Sequence, residues 1–206
     1  MSSIPVQQYP HLAGFDGLSE RCMKDHFHLY EGYVRKYNEL FAQLESLQAL
    51  GSVRAGGDKE SLKVDIAFAL GAIKNHELYF DILGNDGHEP TGELAEEIAR
   101  SFHSVPQYLL DLKQTALLGR GWAWTAYDLD QGYLFNYEAG AQNGMPVWNT
   151  FPILAVDLYG HAYFYDFGNN RLAYVETFMG HIAWNRVAAR LAAAKAGKIG
   201  RLAWVP

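Results

Sequence analysis

Phe151-Pro152-Ile153-Leu154-Ala155-Val156-Asp157-Leu158-Tyr159-Gly160-His161 is the stretch from which the rest of the chain can be read. Its first six residues form an apolar run of strand length, the pattern of a strand buried on both faces. Asp157 ends that run, and a carboxylate buried without a partner is costly. His161 lies four residues further on. A carboxylate and an imidazole delivered by one rigid segment are what is needed to grip a metal ion. Two upstream histidines in helix-like segments, His26 and His76, are the candidates to complete a set of three imidazoles and one carboxylate. Such a set suits redox-active manganese or iron better than structural zinc.

Working back from Phe151, the loop 138–150 leads to a strand at Tyr133–Tyr137, joined through Asp130-Gln131-Gly132 to an alternating strand at Trp122–Tyr127. Helical periods precede these strands at Glu93–Phe102 and Val105–Leu118, and a closing helix is expected over Tyr174–Ala194. The N-terminal third carries two long helical patterns. One runs from Leu18 to Leu50, with Ser19 as its cap and Met23, Phe27, Tyr30, Val34, Tyr37 and Phe41 recurring three or four apart. The other runs from Lys59 to Leu83 through Leu62, Ile66, Ala69, Ile73, His76 and Tyr79. A break at Gly51–Gly57 separates them, and the turn-rich run Gly84–Gly92 marks a domain junction. The expected fold is α+β: an N-terminal helical hairpin, residues 1–86, packed on a C-terminal domain, residues 87–206, of helices around a small three-stranded antiparallel sheet.

Composition narrows the function classes. At 206 residues and 49% hydrophobic the chain can bury a substantial core, and 19% charged residues exclude a disordered chain. A formal charge of -6 with no Lys/Arg block excludes general binding to nucleic acid or to an anionic membrane. No apolar stretch approaches the roughly 20 residues that span a bilayer. Cys22 is the single cysteine, so no intramolecular disulfide forms, and Met1-Ser2-Ser3-Ile4-Pro5 lacks the basic start and apolar core of a secretory signal. A cytoplasmic protein is expected.

The helical period sorts the remaining histidines. His26 shares a face with Met23 and Tyr30, whereas His28 lies about 200° around the helix from it and cannot reach the same ion. His11, His88 and His103 stand in turn or solvent-facing contexts and are expected at the surface, and His181 is expected as a packing group.

The chain resembles the iron/manganese superoxide dismutase family over nearly its whole length. The markers occur in order: Tyr33-Val34, Asn75-His76 with Tyr79, Glu89-Pro90-Thr91-Gly92, Gly121-Trp122-Ala123-Trp124, Asp157-x-x-x-His161-Ala162-Tyr163, and Asn170-Arg171 before Tyr174. The resemblance implies a superoxide dismutase in which His26, His76, Asp157 and His161 are the metal ligands, with solvent in the fifth position. It implies Tyr33 as the phenol at the substrate channel and Trp122 and Trp124 as aromatic walls. Gln142 matches the place from which manganese members supply the glutamine that hydrogen-bonds the bound solvent. Iron members usually supply it four residues before the second histidine, where this chain has Ala72. Manganese is thereby favoured over iron, and Arg171 becomes a candidate for attracting the anion, with a helix-edge salt bridge as the other reading.

Four positions depart from the family pattern, one being Tyr159, where the family usually has tryptophan. The glutamate that reaches across the family's dimer is Gly160, the tyrosine three residues after the last ligand is Phe164, and that tyrosine's histidine partner is Leu29. The usual dimer interface is therefore expected to be absent or rebuilt. A non-enzymatic or weakly active metal-binding member of the same fold is the alternative reading.

Overall fold

The computed structural model describes residues 3–49, 58–84, 89–144 and 147–197. Two long helices come first, α1 (Glu20–Ala49) and α2 (Asp58–Ile82). Ser19 caps α1 as expected: its Oγ accepts from the Cys22 amide at 3.1 Å, satisfying a donor that the first helical turn leaves free. The buried stripe of α1 is Cys22, His26, Tyr30 and Val34, an unbroken spacing of four. Met23 and Phe27 flank it, partly buried. On α2 the buried positions include Ala69, Ala72, Ile73, His76, Leu78, Tyr79, Phe80 and Ile82. The two faces meet in aromatic contacts, with the Phe80 ring centroid 5.0 Å from His26 and 6.1 Å from Tyr30.

Helices α3 (Gly92–Phe102) and α4 (Val105–Leu118) lead into strands β1 (Trp122–Asp128), β2 (Leu134–Ala139) and β3 (Thr150–Asp157). The sheet is antiparallel in the order β2-β1-β3, and its register sets Trp122 opposite both Ala139 and Asp157. A bulge between Thr125 and Ala126 interrupts the β1–β3 ladder next to Pro152. Proline has no N–H to donate, and an edge strand at a bulge is where a sheet tolerates that loss. This is the α+β arrangement read from the sequence. The second strand starts one residue later than expected and runs to Ala139.

Beyond β3 the structure corrects the expectation. Gly160–Phe167 forms a short helix, α5, ended by Gly168 at φ 56°. The closing helix expected over Tyr174–Ala194 is two helices, α6 (Arg171–Gly180) and α7 (Trp184–Lys195). The chain between them leaves the helix to pair with the end of α2: Gly84 donates to the His181 carbonyl at 2.9 Å and Ala183 to the Ile82 carbonyl at 2.8 Å. The expected break at 51–57, the helix end at Leu50, and the turn segment at 85–88 with His88 and the expected boundary between 86 and 87 lie outside the described residues. Among the described residues, side chains from α1, α2, the sheet and α5–α7 contribute to one hydrophobic core, and no helix is long and apolar enough to cross a membrane.

Candidate metal centre

His26, His76, Asp157 and His161 converge although they come from α1, α2, the end of β3 and the first turn of α5. Each is placed by something local. His26 occupies the second position of the α1 core stripe. His76 is fixed by its own helix, its Nδ1 lying 2.7 Å from the Ala72 carbonyl. A carbonyl only accepts, so the proton sits on Nδ1 and Nε2 presents a lone pair. Asp157 is held at three atoms: Oδ1 accepts from the Tyr159 amide at 2.9 Å, its carbonyl accepts from the Tyr174 hydroxyl at 2.7 Å, and Oδ2 faces the histidines.

All three imidazoles aim the same nitrogen at that one oxygen. Nε2 of His26 and of His161 each stand 3.1 Å from Asp157 Oδ2, and Nε2 of His76 stands 3.6 Å away. The four donor atoms lie within 4.8 Å of one another. Nitrogen and oxygen ligands about 2.0–2.2 Å from one shared ion stand roughly 3–4.4 Å apart, close to this spacing. Burial makes the set demanding as well as compact. His26, His76 and Asp157 are buried, and among the described residues His76 Nε2 has no hydrogen-bond partner although its lone pair faces a carboxylate. A buried cation among these atoms satisfies both, and the residues fit one.

Electrostatics agree with that fit. Burial pushes the His76 imidazole down to about 3 and lowers His26 as well, so both are neutral and available as ligands. Burial pushes the Asp157 carboxyl upward, but hydrogen bonding from His161 and His26 outweighs it and holds the group well below the usual carboxylate range. Asp157 is thus an anion fully out of water, with the neutral imidazoles of His26 and His76 among its neighbours. Within the cluster, His26 Nδ1 is also a buried ring nitrogen without a hydrogen-bond partner among the described residues.

Around this cluster stand the aromatic and amide groups expected from the sequence. Trp122 is fully buried, its ring centroid 5.2 Å from His76, and stacks at 6.3 Å on Trp124. Its indole Nε1 donates to Gln142 Oε1 at 2.9 Å. Gln142 is therefore held by its oxygen, which leaves its amide N–H groups free to donate, as one does to Tyr33. Tyr33 is half-buried with its ring centroid 5.5 Å from His76. Burial raises its pKa, against a smaller lowering by its hydrogen bond from Gln142. Tyr159 stacks on His161 at 5.4 Å, nearly parallel, and covers one face of the only ring in the set that solvent touches.

Other readings change. Among the described residues Arg171 forms no salt bridge; its guanidinium donates to the carbonyls of Gly119 at 2.6 Å, Leu158 at 3.1 Å and Leu117 at 3.4 Å. It caps the end of α4 and ties it to the segment after Asp157. His11 is half-buried instead of surface-lying, because the N-terminal segment folds back over α2 and places Nε2 3.1 Å from the Phe80 carbonyl. His28 is exposed and pairs with Glu31 at 3.2 Å, and His103 is exposed at the end of α3. His181 packs edge-on against Phe15 and bonds the Thr177 carbonyl, as expected of a packing group. Tyr174 and Tyr159 had no assigned role from the sequence, since only the fold brings them to Asp157 and His161. Gly160 is exposed, Leu29 half-buried and Phe164 62% exposed.

Comparison with known proteins places this geometry in a lineage. Residues 90–190 match the family described as iron/manganese superoxide dismutases, C-terminal domain. An iron superoxide dismutase of Aquifex aeolicus is 31% identical over 189 residues, covering 88% of this chain and 89% of the relative. One of Cupriavidus metallidurans, also named for iron, is 34% identical over 186 residues, covering 88% and 92%. A manganese superoxide dismutase of Mycolicibacterium smegmatis is 31% identical over 191 residues, covering 90% and 87%. With similarity running through both halves of the chain and a buried three-histidine, one-aspartate cluster at its centre, this protein belongs to the iron/manganese superoxide dismutase family.

Proposed function

We propose that the protein converts superoxide to dioxygen and hydrogen peroxide at a single manganese or iron ion held by His26, His76, Asp157 and His161. The observation that carries this reading is the aim of three Nε2 atoms at one buried carboxylate oxygen, with His76 Nε2 lacking any hydrogen-bond partner among the described residues. When bound, the ion supplies a redox cycle that takes an electron from one superoxide and returns it to a second, which leaves as the peroxide with two protons. Every other task falls to the chain. The buried imidazoles and Trp122 exclude bulk water, which strengthens the attraction between the site and a small anion. Asp157 contributes one negative charge, so a divalent or trivalent cation leaves the site net positive and able to draw superoxide.

Tyr33 and Gln142 are the residues assigned to proton handling. The Tyr33 phenol, raised by burial, keeps its proton at neutral pH and sits half-exposed beside His76, where an anion entering the site meets an O–H donor. Gln142 presents N–H groups while its oxygen is held by Trp122. The presence of this glutamine, with alanine at 72, favours manganese over iron. Two ligands come from residues 1–86 and two from 87–206, so the division into two domains read from the sequence sets the site between them. A cytoplasmic setting accords with the lone Cys22 thiol.

The test is the metal content and superoxide consumption of the purified protein beside His161→Ala. The expected result is close to one manganese or iron per chain, with turnover, and loss of both in the variant. Retained dismutation by His161→Ala overturns the assignment, and stoichiometric metal without turnover favours the non-enzymatic alternative. We extend the reading to assembly: Gly160, Phe164 and Leu29 supply no polar bridge, so the usual dimer does not form through these side chains. Light scattering that shows an ordinary dimer centred on them refutes that extension.

A further inference from the structure

We propose that Gly71 is a positioning residue for Gln142, holding the loop that carries it against α2 at a distance no other amino acid allows. This rests on the role given to Gln142 above. A Cβ added to Gly71 meets the Gln142 carbonyl carbon at 3.0 Å and the Asn143 Cα at 3.2 Å, with the Gln142 carbonyl oxygen closer still. These are backbone atoms, which cannot swing aside as the end of a side chain does. One helical turn on, Asn75 Nδ2 donates to that same carbonyl at 2.9 Å. Gly71 and Asn75 lie on one face of α2, four residues apart, and the next residue is His76.

A second glycine approaches the loop as closely. A Cβ on Gly121 meets the Ala139 carbonyl oxygen at 2.7 Å and the Gly140 carbonyl carbon at 2.9 Å. Two bare backbones thus lie against 139–143, one on the helix of His76 and one just before the strand of Trp122. The Trp122 indole then fixes the glutamine's oxygen at 2.9 Å. Backbone approach sets how deep the loop sits, and the two hydrogen bonds set its orientation. The amide reaches the ligand cluster only when both are met. A methyl group at 71 lifts the loop and withdraws the Gln142 N–H groups without touching any metal ligand.

The experiment compares Gly71→Ala, Asn75→Ala and, as control, Gly180→Ala, whose added Cβ meets nothing within 4 Å. Each is loaded with manganese, its metal content is checked, and its visible spectrum, reduction midpoint and melting temperature are recorded. Groups beyond the ligands tune a bound metal. The expected result is that Gly71→Ala and Asn75→Ala change the ratio of oxidised to reduced metal at a fixed potential by at least tenfold, about 59 mV for one electron. Gly180→Ala leaves it unchanged. Rescue is not expected from Gly71→Ser, which carries the same Cβ. The proposal is overturned if Gly71→Ala lowers the melting temperature while its spectrum and midpoint match the parent's. Should Gly71→Ala fail to fold, an unchanged midpoint in Asn75→Ala overturns it equally. The spectrum and midpoint report on Gln142 placement whether or not the parent turns over superoxide, so failure here is separable from failure of the proposed activity.

Discussion

Replacing Tyr174 by phenylalanine removes one oxygen atom and leaves two buried groups without their partner. The hydroxyl lies 2.7 Å from the Asp157 carbonyl and 3.4 Å from the Tyr79 hydroxyl, and both tyrosines are fully buried. A buried polar group deprived of its bond costs about 1–3 kcal/mol, and the longer contact is the weaker of the two. The stack of this ring on Tyr163, centroids 4.7 Å apart, survives in phenylalanine. The expected loss is therefore about 2–3 kcal/mol, which for a chain of this size lowers the melting temperature by roughly 4–12 °C. Tyr79→Phe removes only the longer contact and is expected to cost about 0.5–1 kcal/mol. The double variant should cost less than the sum, because the contact between the hydroxyls is counted in both single changes. The assay is urea unfolding of metal-stripped protein, so that ligand linkage does not mask the difference, with a constant slope showing that the folded and unfolded states are otherwise unchanged. A Tyr174→Phe protein within about 0.5 kcal/mol of its parent, or a Tyr79→Phe protein losing as much as Tyr174→Phe, refutes the reasoning.

Alkaline pH should destabilise the fold through the same phenols. Burial raises Tyr79, Tyr108 and Tyr174 above their ordinary value. Each holds its proton when folded but releases it near pH 10 when unfolded, so the stabilisation is complete below pH 10 and is lost as pH rises beyond it. With all three phenols so held, stability falls by up to about 4 kcal/mol per pH unit. Denaturation midpoints measured at pH 9, 10 and 11 check this, and a flat profile contradicts it. Cys22 should be inert in the folded protein: burial first, then the nearby Asp166 charge, pushes its thiol up to about 12. Alkylation with iodoacetamide at pH 8 should label it only in denaturant, and stoichiometric labelling of the native protein would show that the thiol is accessible.

Features set by local pattern were legible in the sequence, and features set by distant pairing were not. Val105–Leu118 is helical between the expected residues, because Ser104 caps it, Pro106 suits its first turn and Gly119 follows it. Choosing His26 over His28 needed only the helical period, and the structure puts one in the core and the other in water. α5 has eight residues, too few to show a period, and begins at a glycine. The split between α6 and α7 arises because residues 181–183 pair with the end of α2, about a hundred positions away in the chain. His11 was misplaced for a similar reason, since only the folded N-terminal segment brings it to Phe80. Arg171 was ambiguous in sequence because an arginine's partners depend on which carbonyls the fold leaves open. The Trp122 bond to Gln142 required the loop's path, which no spacing encodes.

The proposed ligand set is divided along the chain in a way that bears on how the protein would be made. His26 and Asp157 are 131 positions apart, and the earlier half offers only two imidazoles. A nascent chain that has emerged only as far as α4 lacks both Asp157 and His161, so on this ligand set it offers a cation two of the four donors. A tight site arises only once β3 and α5 have been synthesised and docked. On the proposed ligand set, tight binding of either ion would thereby wait for the stage at which the later ligands join the earlier two.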